Sequence, residues 1–532
     1  MIRILAVCLS GALYPLCFPD FDLAWLAWLA LLPLHLALNK VTPRHAFWLG
    51  WLAGLIAYAG TMSWVITAMH LYGQVPFTIS ILLMLLLAAY LGLYVALYTL
   101  GLTWLRRPQH PLIILLGAPS LWVALELVRT YAFSGLPWAL FGYSQYQWLP
   151  IIQIADITGV YGVSYVIVLV NTAFALILQW AWYRRGDVGL YPFPGPATVM
   201  SLITFGLVFA YGSWSLSRYT SLHPQPETLT IGLVQANIDQ AHKWNKAYRQ
   251  DTLNRYASLT EKASRGTDFI IWPEAATPFL FEREPVYQEN VKDLVRRTNV
   301  PLLLGSPALR FHQDGHPYLL NSAFLLNQKG NIQGRYDKRH LVPFGEYIPL
   351  HSFLFFLDKL VTGIGDFEPG TGSTTLTLPD RIHHPSLHFG VPICFEVIFP
   401  NLVRRMVNDG VDFMVTITND AWFGTSAAPY QHFGMVVLRA VENRVAFARA
   451  ANTGISGFIA PTGRILASTP IFTEQAVTGA IPLRTGSSFY SENGDVFAWL
   501  CVIIGSILIR PRLSPKQGAT DDRRHSRKNA SS

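Results

Sequence analysis

Three ionisable residues stand at the ends of three runs that read as strands in this chain. Cys394 follows FGVPI, Glu274 follows FIIWP, and Lys338 follows IQGRYD. In open sheets flanked by helices, ligands gather where strands end. A thiol with a pKa of about 8.5 is mostly protonated at neutral pH. A neighbouring carboxylate can take its proton as it attacks. A neighbouring ammonium can stabilise the thiolate and then the oxyanion of a tetrahedral intermediate. The product is a thioester on Cys394. This is the chemistry of amide or ester cleavage, and it leaves the acceptor open.

Cysteine usage sharpens the point. The chain has 4 cysteines. Cys8, Cys17 and Cys501 lie in long apolar runs and read as packing residues. Cys394 is left without a disulfide partner in its own segment, so it is either buried and inert or a reactive thiol.

The elements that must carry these residues follow from period and turn chemistry. Strands are expected at Thr228–Ile238, Thr267–Glu274, Pro301–Leu309 and Val411–Asp420. Helices are expected at Tyr248–Arg265, Val286–Thr298, Phe399–Gly410 and Tyr430–Ala450. Hairpins are expected at Tyr318–Asp337, across QKGN, and at Ser456–Thr469, across Pro-Thr-Gly. The alternation predicts a mixed sheet with helices packed on it, and leaves open one sheet or two.

The rest of the chain is a membrane protein. Of 532 residues, 51% are apolar and 14% charged, against about 25% charged in soluble domains. Eight spans are expected: Ile2–Phe18, Leu23–Leu38, Ala46–Ala68, Val75–Trp104, Pro111–Tyr131, Ile157–Trp182, Thr198–Trp214 and Val496–Ile509. Arg3, Lys40, Arg44, Arg106, Arg107, Arg184, Arg185 and a basic tail all fall on one side of that pattern. The positive-inside rule makes that side cytoplasmic. The net charge of +8 is thus read as a topology signal, and no nucleic-acid partner is expected. The expected division is a membrane domain of seven spans over 1–220 and an extracytoplasmic catalytic domain over 225–485. A C-terminal span at 490–510 and a disordered cytoplasmic tail at 511–532 complete it. The first span is read as retained, with both termini cytoplasmic.

The motifs resemble the carbon-nitrogen hydrolase (nitrilase) superfamily, whose members carry a Glu-Lys-Cys triad on an α-β-β-α sandwich. Joined to a multi-span N-terminal half and one C-terminal span, they resemble the apolipoprotein N-acyltransferase family. The resemblance covers nearly the whole chain. WPEAATP implies Glu274 as general base. YDKRHLVPFGEYIP implies Lys338 as the triad lysine and Glu346 as a second carboxylate. ICFE implies Cys394 as nucleophile and Glu396 as supporting glutamate. QANIDQAHKWN and NDAWFG imply Trp244 and Trp422 as substrate-side residues, with Phe395 beside the nucleophile where relatives often carry Tyr. A lysine between two carboxylates stays protonated and fixed, which gives Glu346 a purpose.

The resemblance implies a ping-pong acyltransferase of the bacterial inner membrane. A glycerophospholipid gives its acyl chain to Cys394. The α-amine of an S-diacylglyceryl cysteine on an apolipoprotein then takes it. No cofactor or metal is expected, and a monomer is. The alternative is a membrane-tethered amidase or nitrilase that hydrolyses an amide or ester with water as acceptor. In the membrane half, Glu126 and Arg129 are spaced to share one helix face, so they can pair, and a structural ion pair and a substrate contact are both open to them.

Overall fold

The computed structural model describes residues 1–106, 110–183, 193–221, 226–347, 367–379 and 386–509. Arg107, Arg184, Arg185 and the basic tail therefore lie outside the described residues.

The N-terminal half is helical. Phe77–Leu105, Pro111–Ser134, Val160–Trp182 and Gly195–Tyr219 are each long and apolar enough to cross a membrane. Pro43–Thr61 and Trp64–Tyr72 make a fifth only if taken as one span with a 50° bend. The other expected spans fall on shorter apolar helices. Ile2–Leu16 and Val496–Ile509 are short helices. The second expected span breaks into a 3-10 turn at Ala24–Trp28 and a helix at Leu32–Ala37, with Pro33 in the first turn of that helix. Small residues let these helices approach closely. A Cβ on Gly54 would stand 2.7 Å from Gly92 Cα across the Pro43–Thr61/Phe77–Leu105 contact.

The C-terminal half contains two six-stranded sheets. The first runs in the order β12-β1-β2-β3-β4-β5: β12 Gln475–Pro482, β1 Thr228–Gln235, β2 Phe269–Ile271, β3 Leu302–Phe311, β4 Pro317–Leu326 and β5 Ile332–Asp337. The second runs β11-β10-β9-β8-β7-β6: β11 Ile465–Ser468, β10 Gly457–Ile459, β9 Phe447–Ala451, β8 Phe413–Thr418, β7 Leu387–Gly390 and β6 Thr375–Leu378. In each sheet three parallel strands are flanked by antiparallel ones. The sheets pack face to face. Phe269 of the first meets Phe389 and Phe413 of the second at centroid distances of 5.3 and 6.3 Å.

Helices Arg249–Ala263 and Pro285–Thr298 cover the outer face of the first sheet. Their Leu253, Tyr256, Val291 and Leu294 share a core with Ile270, Leu302 and Phe324. Helices Pro400–Asn408 and Ala428–Asn443 belong to the second sheet's side. The layering is α-β-β-α, with two sheets rather than one.

The expected helix over Tyr430–Ala450 is corrected. It ends at Asn443, Arg444 turns left-handed with φ 49°, and Phe447–Ala451 is the buried strand β9 between β8 and β10. The alanine-rich FARAA reads as helix locally, but its place in the middle of a sheet overrides propensity. Arg444 adopts the turn because its guanidinium is bound by Asp156 Oδ2 at 2.6 Å and Gln153 Oε1 at 2.6 Å.

Candidate active site

β2 stops at Ile271, and the chain turns through Trp272 and Pro273 to bring Glu274 into the space between the sheets. Gly305 on β3 makes room, since a Cβ there would stand 2.6 Å from Glu274 Cα. Both carboxylate oxygens of Glu274 are held. Oε1 accepts from Asn321 Nδ2 at 2.7 Å, and Oε2 accepts from the Asn419 main-chain N–H at 2.8 Å. Asn321 stands on β4 of the first sheet, and Asn419 follows β8 of the second. Glu274 is thereby fixed from both sheets.

Lys338 leaves the end of β5, where its N–H donates to the Asn321 carbonyl at 2.8 Å. Its side chain is buried. Nζ donates to Glu346 at 2.9 Å and lies 3.5 Å from Glu274 Oε1. Burial opposes the charge, yet Glu346 and then Glu274 hold the Lys338 pKa above the ordinary lysine value. Asn321 Nδ2 also donates to Glu346 Oε1 at 2.8 Å, and the Val342 N–H donates to Glu346 Oε2 at 2.8 Å. One amide thus spaces the two carboxylates that bracket the lysine.

Cys394 comes from the opposite sheet. After β7 the chain makes one bridge, Ile393 to Ile417, and then enters a 3-10 turn at Cys394–Ile398. Cys394 itself sits at φ 52°, a conformation that costs a non-glycine residue about 1–3 kcal/mol. Two buried groups hold it there. His432 Nε2 donates to the Cys394 carbonyl at 3.1 Å. Glu396 Oε2 accepts from the Ile393 N–H at 2.8 Å. Burial pushes the Cys394 thiol well above its ordinary pKa, the Glu274 charge adds to this, and Lys338 opposes it. The resting thiol is protonated and needs a base to attack.

Glu396 is wholly buried. Its oxygens also accept from the N–H groups of Arg339 (2.7 Å) and His340 (3.1 Å), and from Tyr336 Oη (2.9 Å). It ties the segment after Lys338 to the segment before Cys394, which makes it a positioning residue. Behind His432 lies a buried pair. Arg449 Nη2 donates to Asp420 Oδ2 at 2.7 Å and to His432 Nδ1 at 3.1 Å. Burial, and then the Arg449 charge, push the His432 pKa below its ordinary value. Burial resists the Asp420 charge, but Arg449 holds that carboxyl well below the usual range.

The expected substrate-side residues line up less tightly. Trp244 stands half-exposed on the turn after β1. Trp422 is also part-exposed, with its ring 6.1 Å from that of Tyr72 in the membrane half. Phe395 packs on His340 and Phe399 at 5.9 and 5.1 Å. Several residues that touch this centre escaped the sequence reading. Asn321 sits in an ordinary strand and carried no signal. Asp420 and Asn419 lie in NDAWFG, where only the tryptophan was singled out. Lys243, beside Trp244, is 2% exposed, and its Nζ donates to the Glu274 carbonyl at 3.4 Å.

Of the two roles open to Glu126 and Arg129, the direct ion pair is not formed. Glu126 Oε1 accepts from Trp122 Nε1 at 3.0 Å and from the Phe141 N–H at 2.7 Å. Arg129 donates to Tyr58 Oη and to the Ala139 carbonyl. Each has one partner in the loop that follows the helix, Phe141 or Ala139, and one on a helix, Trp122 or Tyr58.

Residues 10–173 match the family described as apolipoprotein N-acyltransferase N-terminal domain, and residues 230–490 match carbon-nitrogen hydrolase. The apolipoprotein N-acyltransferase of Geobacter metallireducens is 44% identical over 501 residues, spanning 93% of this chain and 92% of that protein. Those of Azotobacter vinelandii and Chlorobaculum tepidum are each 32% identical, and each alignment spans 94% of both chains.

Proposed function

Since the chain belongs to the apolipoprotein N-acyltransferase family, we propose that it moves a fatty acyl chain from a glycerophospholipid to the N-terminal amine of apolipoproteins through a thioester on Cys394. The observation that carries this reading is the cross-sheet centre. A carboxylate and an ammonium from one sheet are held 3.5 Å apart, and both bear electrostatically on a lone, protonated thiol from the other.

Glu274 takes the thiol proton as sulfur attacks the ester carbonyl carbon. The carbonyl electron pair moves to oxygen, and Lys338 stabilises the charge. Collapse breaks the bond to the glycerol oxygen, which leaves with the proton held by Glu274. In the second half, the α-amine of an S-diacylglyceryl cysteine attacks the thioester. Glu274 takes the amine proton and returns it to the departing sulfur. Glu346 keeps Lys338 charged and in place, and Glu396 sets the two strand ends against each other. Trp244, Phe395 and Trp422 contact substrate.

The membrane half brings a lipid ester to this centre. Eight crossings place both termini in the cytoplasm and the catalytic domain in the periplasm of the bacterial inner membrane. In this arrangement residues 1–220 carry seven crossings, 225–485 form the catalytic domain, 490–510 cross once more, and 511–532 form the tail. The protein acts as a monomer, with no nucleic-acid partner.

The test is a reconstituted reaction. Purified protein in phospholipid vesicles is given a diacylated lipopeptide, and the products are separated by mass. N-acylated lipopeptide and lysophospholipid in equal amounts is the expected outcome. Free fatty acid with unmodified lipopeptide would instead identify water as the acceptor.

A further inference from the structure

Lys243 has a place that no step above uses. Its side chain is 2% exposed although its neighbour Trp244 is 49% exposed. The turn that buries it is fixed by Asp239, whose Oδ1 accepts from the Ala241 N–H at 2.8 Å and whose carbonyl accepts from the His242 N–H at 3.2 Å. Among the described residues, the ammonium makes one hydrogen bond, a long one of 3.4 Å to the Glu274 carbonyl. Among the described residues no carboxylate contacts it, in contrast to Lys338, which Glu346 grips at 2.9 Å. A buried ammonium with spare N–H groups and no bound counter-charge is costly unless the site's own chemistry supplies an anion. The charges of Glu274 and Cys394 both act on it, so it stands within the field of the reacting centre.

We propose that Lys243 is a second donor to the oxyanion, meeting the negative charge that develops on the acyl carbonyl oxygen when Cys394 attacks. The inference rests on Cys394 being the nucleophile. Lys338 is already engaged by Glu346 at 2.9 Å and by Glu274 at 3.5 Å, and Lys243 adds a donor that answers the charge appearing only in the tetrahedral state. Burial lowers the Lys243 pKa to about 8, which leaves its proton on at neutral pH and its N–H groups strongly acidic donors.

The experiment compares two reactions of the same sulfur in full-length Lys243→Met and Lys243→Gln proteins. Acylation of Cys394 by phospholipid passes through an oxyanion; alkylation of Cys394 by iodoacetamide does not. Both are followed at Cys394 by peptide mass. Loss of one oxyanion donor slows acylation about 100-fold, and alkylation changes by no more than about fivefold. Lys243→Gln keeps a neutral donor, so its acylation falls less than that of Lys243→Met. The proposal is overturned if both reactions slow in parallel, which would make Lys243 only a prop for Glu274, or if acylation is unchanged. Wild-type Cys394 that is never acylated would instead remove the premise, so the two failures are distinct.

Discussion

Cys394 sits at φ 52° with a thiol that burial keeps protonated, so its reactivity depends on the groups aimed at it. Two substitutions test that dependence. Asn321 spaces Glu274 and Glu346 with a single amide, at 2.7 and 2.8 Å. Asn321→Leu strips a donor from each carboxylate and lets both swing, and cysteine acylation is expected to fall about 100-fold. An unchanged rate would mean that Glu274 is held by other contacts. The second test is pH. Lys243 loses its charge as pH rises through about 8, so the acylation half-reaction slows above that pH. Lys243→Arg stays charged and removes this falling limb; if the limb persists, another group titrates. At this scale the sequence was informative where an ionisable residue stood at the end of a strand-like run, as at Glu274, Lys338 and Cys394. It was silent on Asn321 and Lys243, because an amide in a strand and a lysine in a polar loop look the same whether they face solvent or a buried thiol.

The turn at Cys394 depends on elements behind it. β9 carries Arg449, β8 leads to Asp420, and helix Ala428–Asn443 carries His432, whose Nε2–H holds the Cys394 carbonyl at 3.1 Å. Arg449 has no exposure, and its guanidinium is joined to Asp420 at 2.7 Å. Arg449→Met leaves that carboxylate buried and unpaired, and is expected to cost about 3–5 kcal/mol, read as a lower melting temperature. A melting temperature equal to wild type would contradict this. The overrun of the expected helix to Ala450 has the same root. FARAA favours helix by local propensity, and only its ladder to β8 and β10 makes it a strand. β6 and β12 were likewise missed: β6 is a four-residue strand at a sheet edge, and β12, though eight residues long, reads QAVTGAIP with no regular alternation. The hairpins at Ile332–Asp337 and Ile465–Ser468 were legible from their turn residues.

Across the whole molecule, helix Ala428–Asn443 is buried along almost its full length because it lies between the second sheet and the membrane half. Gln431 accepts from Trp138 Nε1 at 2.7 Å, Glu442 accepts from the Val160 N–H at 2.9 Å, and Arg444 grips Asp156 at 2.6 Å. Trp64 and Phe423 meet edge to face at 5.0 Å beside the 50° bend of the membrane half. The site loop bearing Trp422 therefore rests on the membrane helices. Arg444→Met cuts the strongest of these ties, and melting is expected to split into two transitions. A single unshifted transition would contradict a docking role. Apolar runs and loop charges pointed to a membrane half in the sequence; nothing in them pointed to this seam, which is made of side chains far apart in the chain.

The most direct measurement is the intact mass of the purified protein after exposure to phospholipid alone. The account predicts an increase of one acyl chain, located on Cys394, released by hydroxylamine, discharged by a diacylated lipopeptide, and absent from Cys394→Ala. Lipopeptide acylation by Cys394→Ala at the wild-type rate, or an acyl group carried elsewhere, would contradict it.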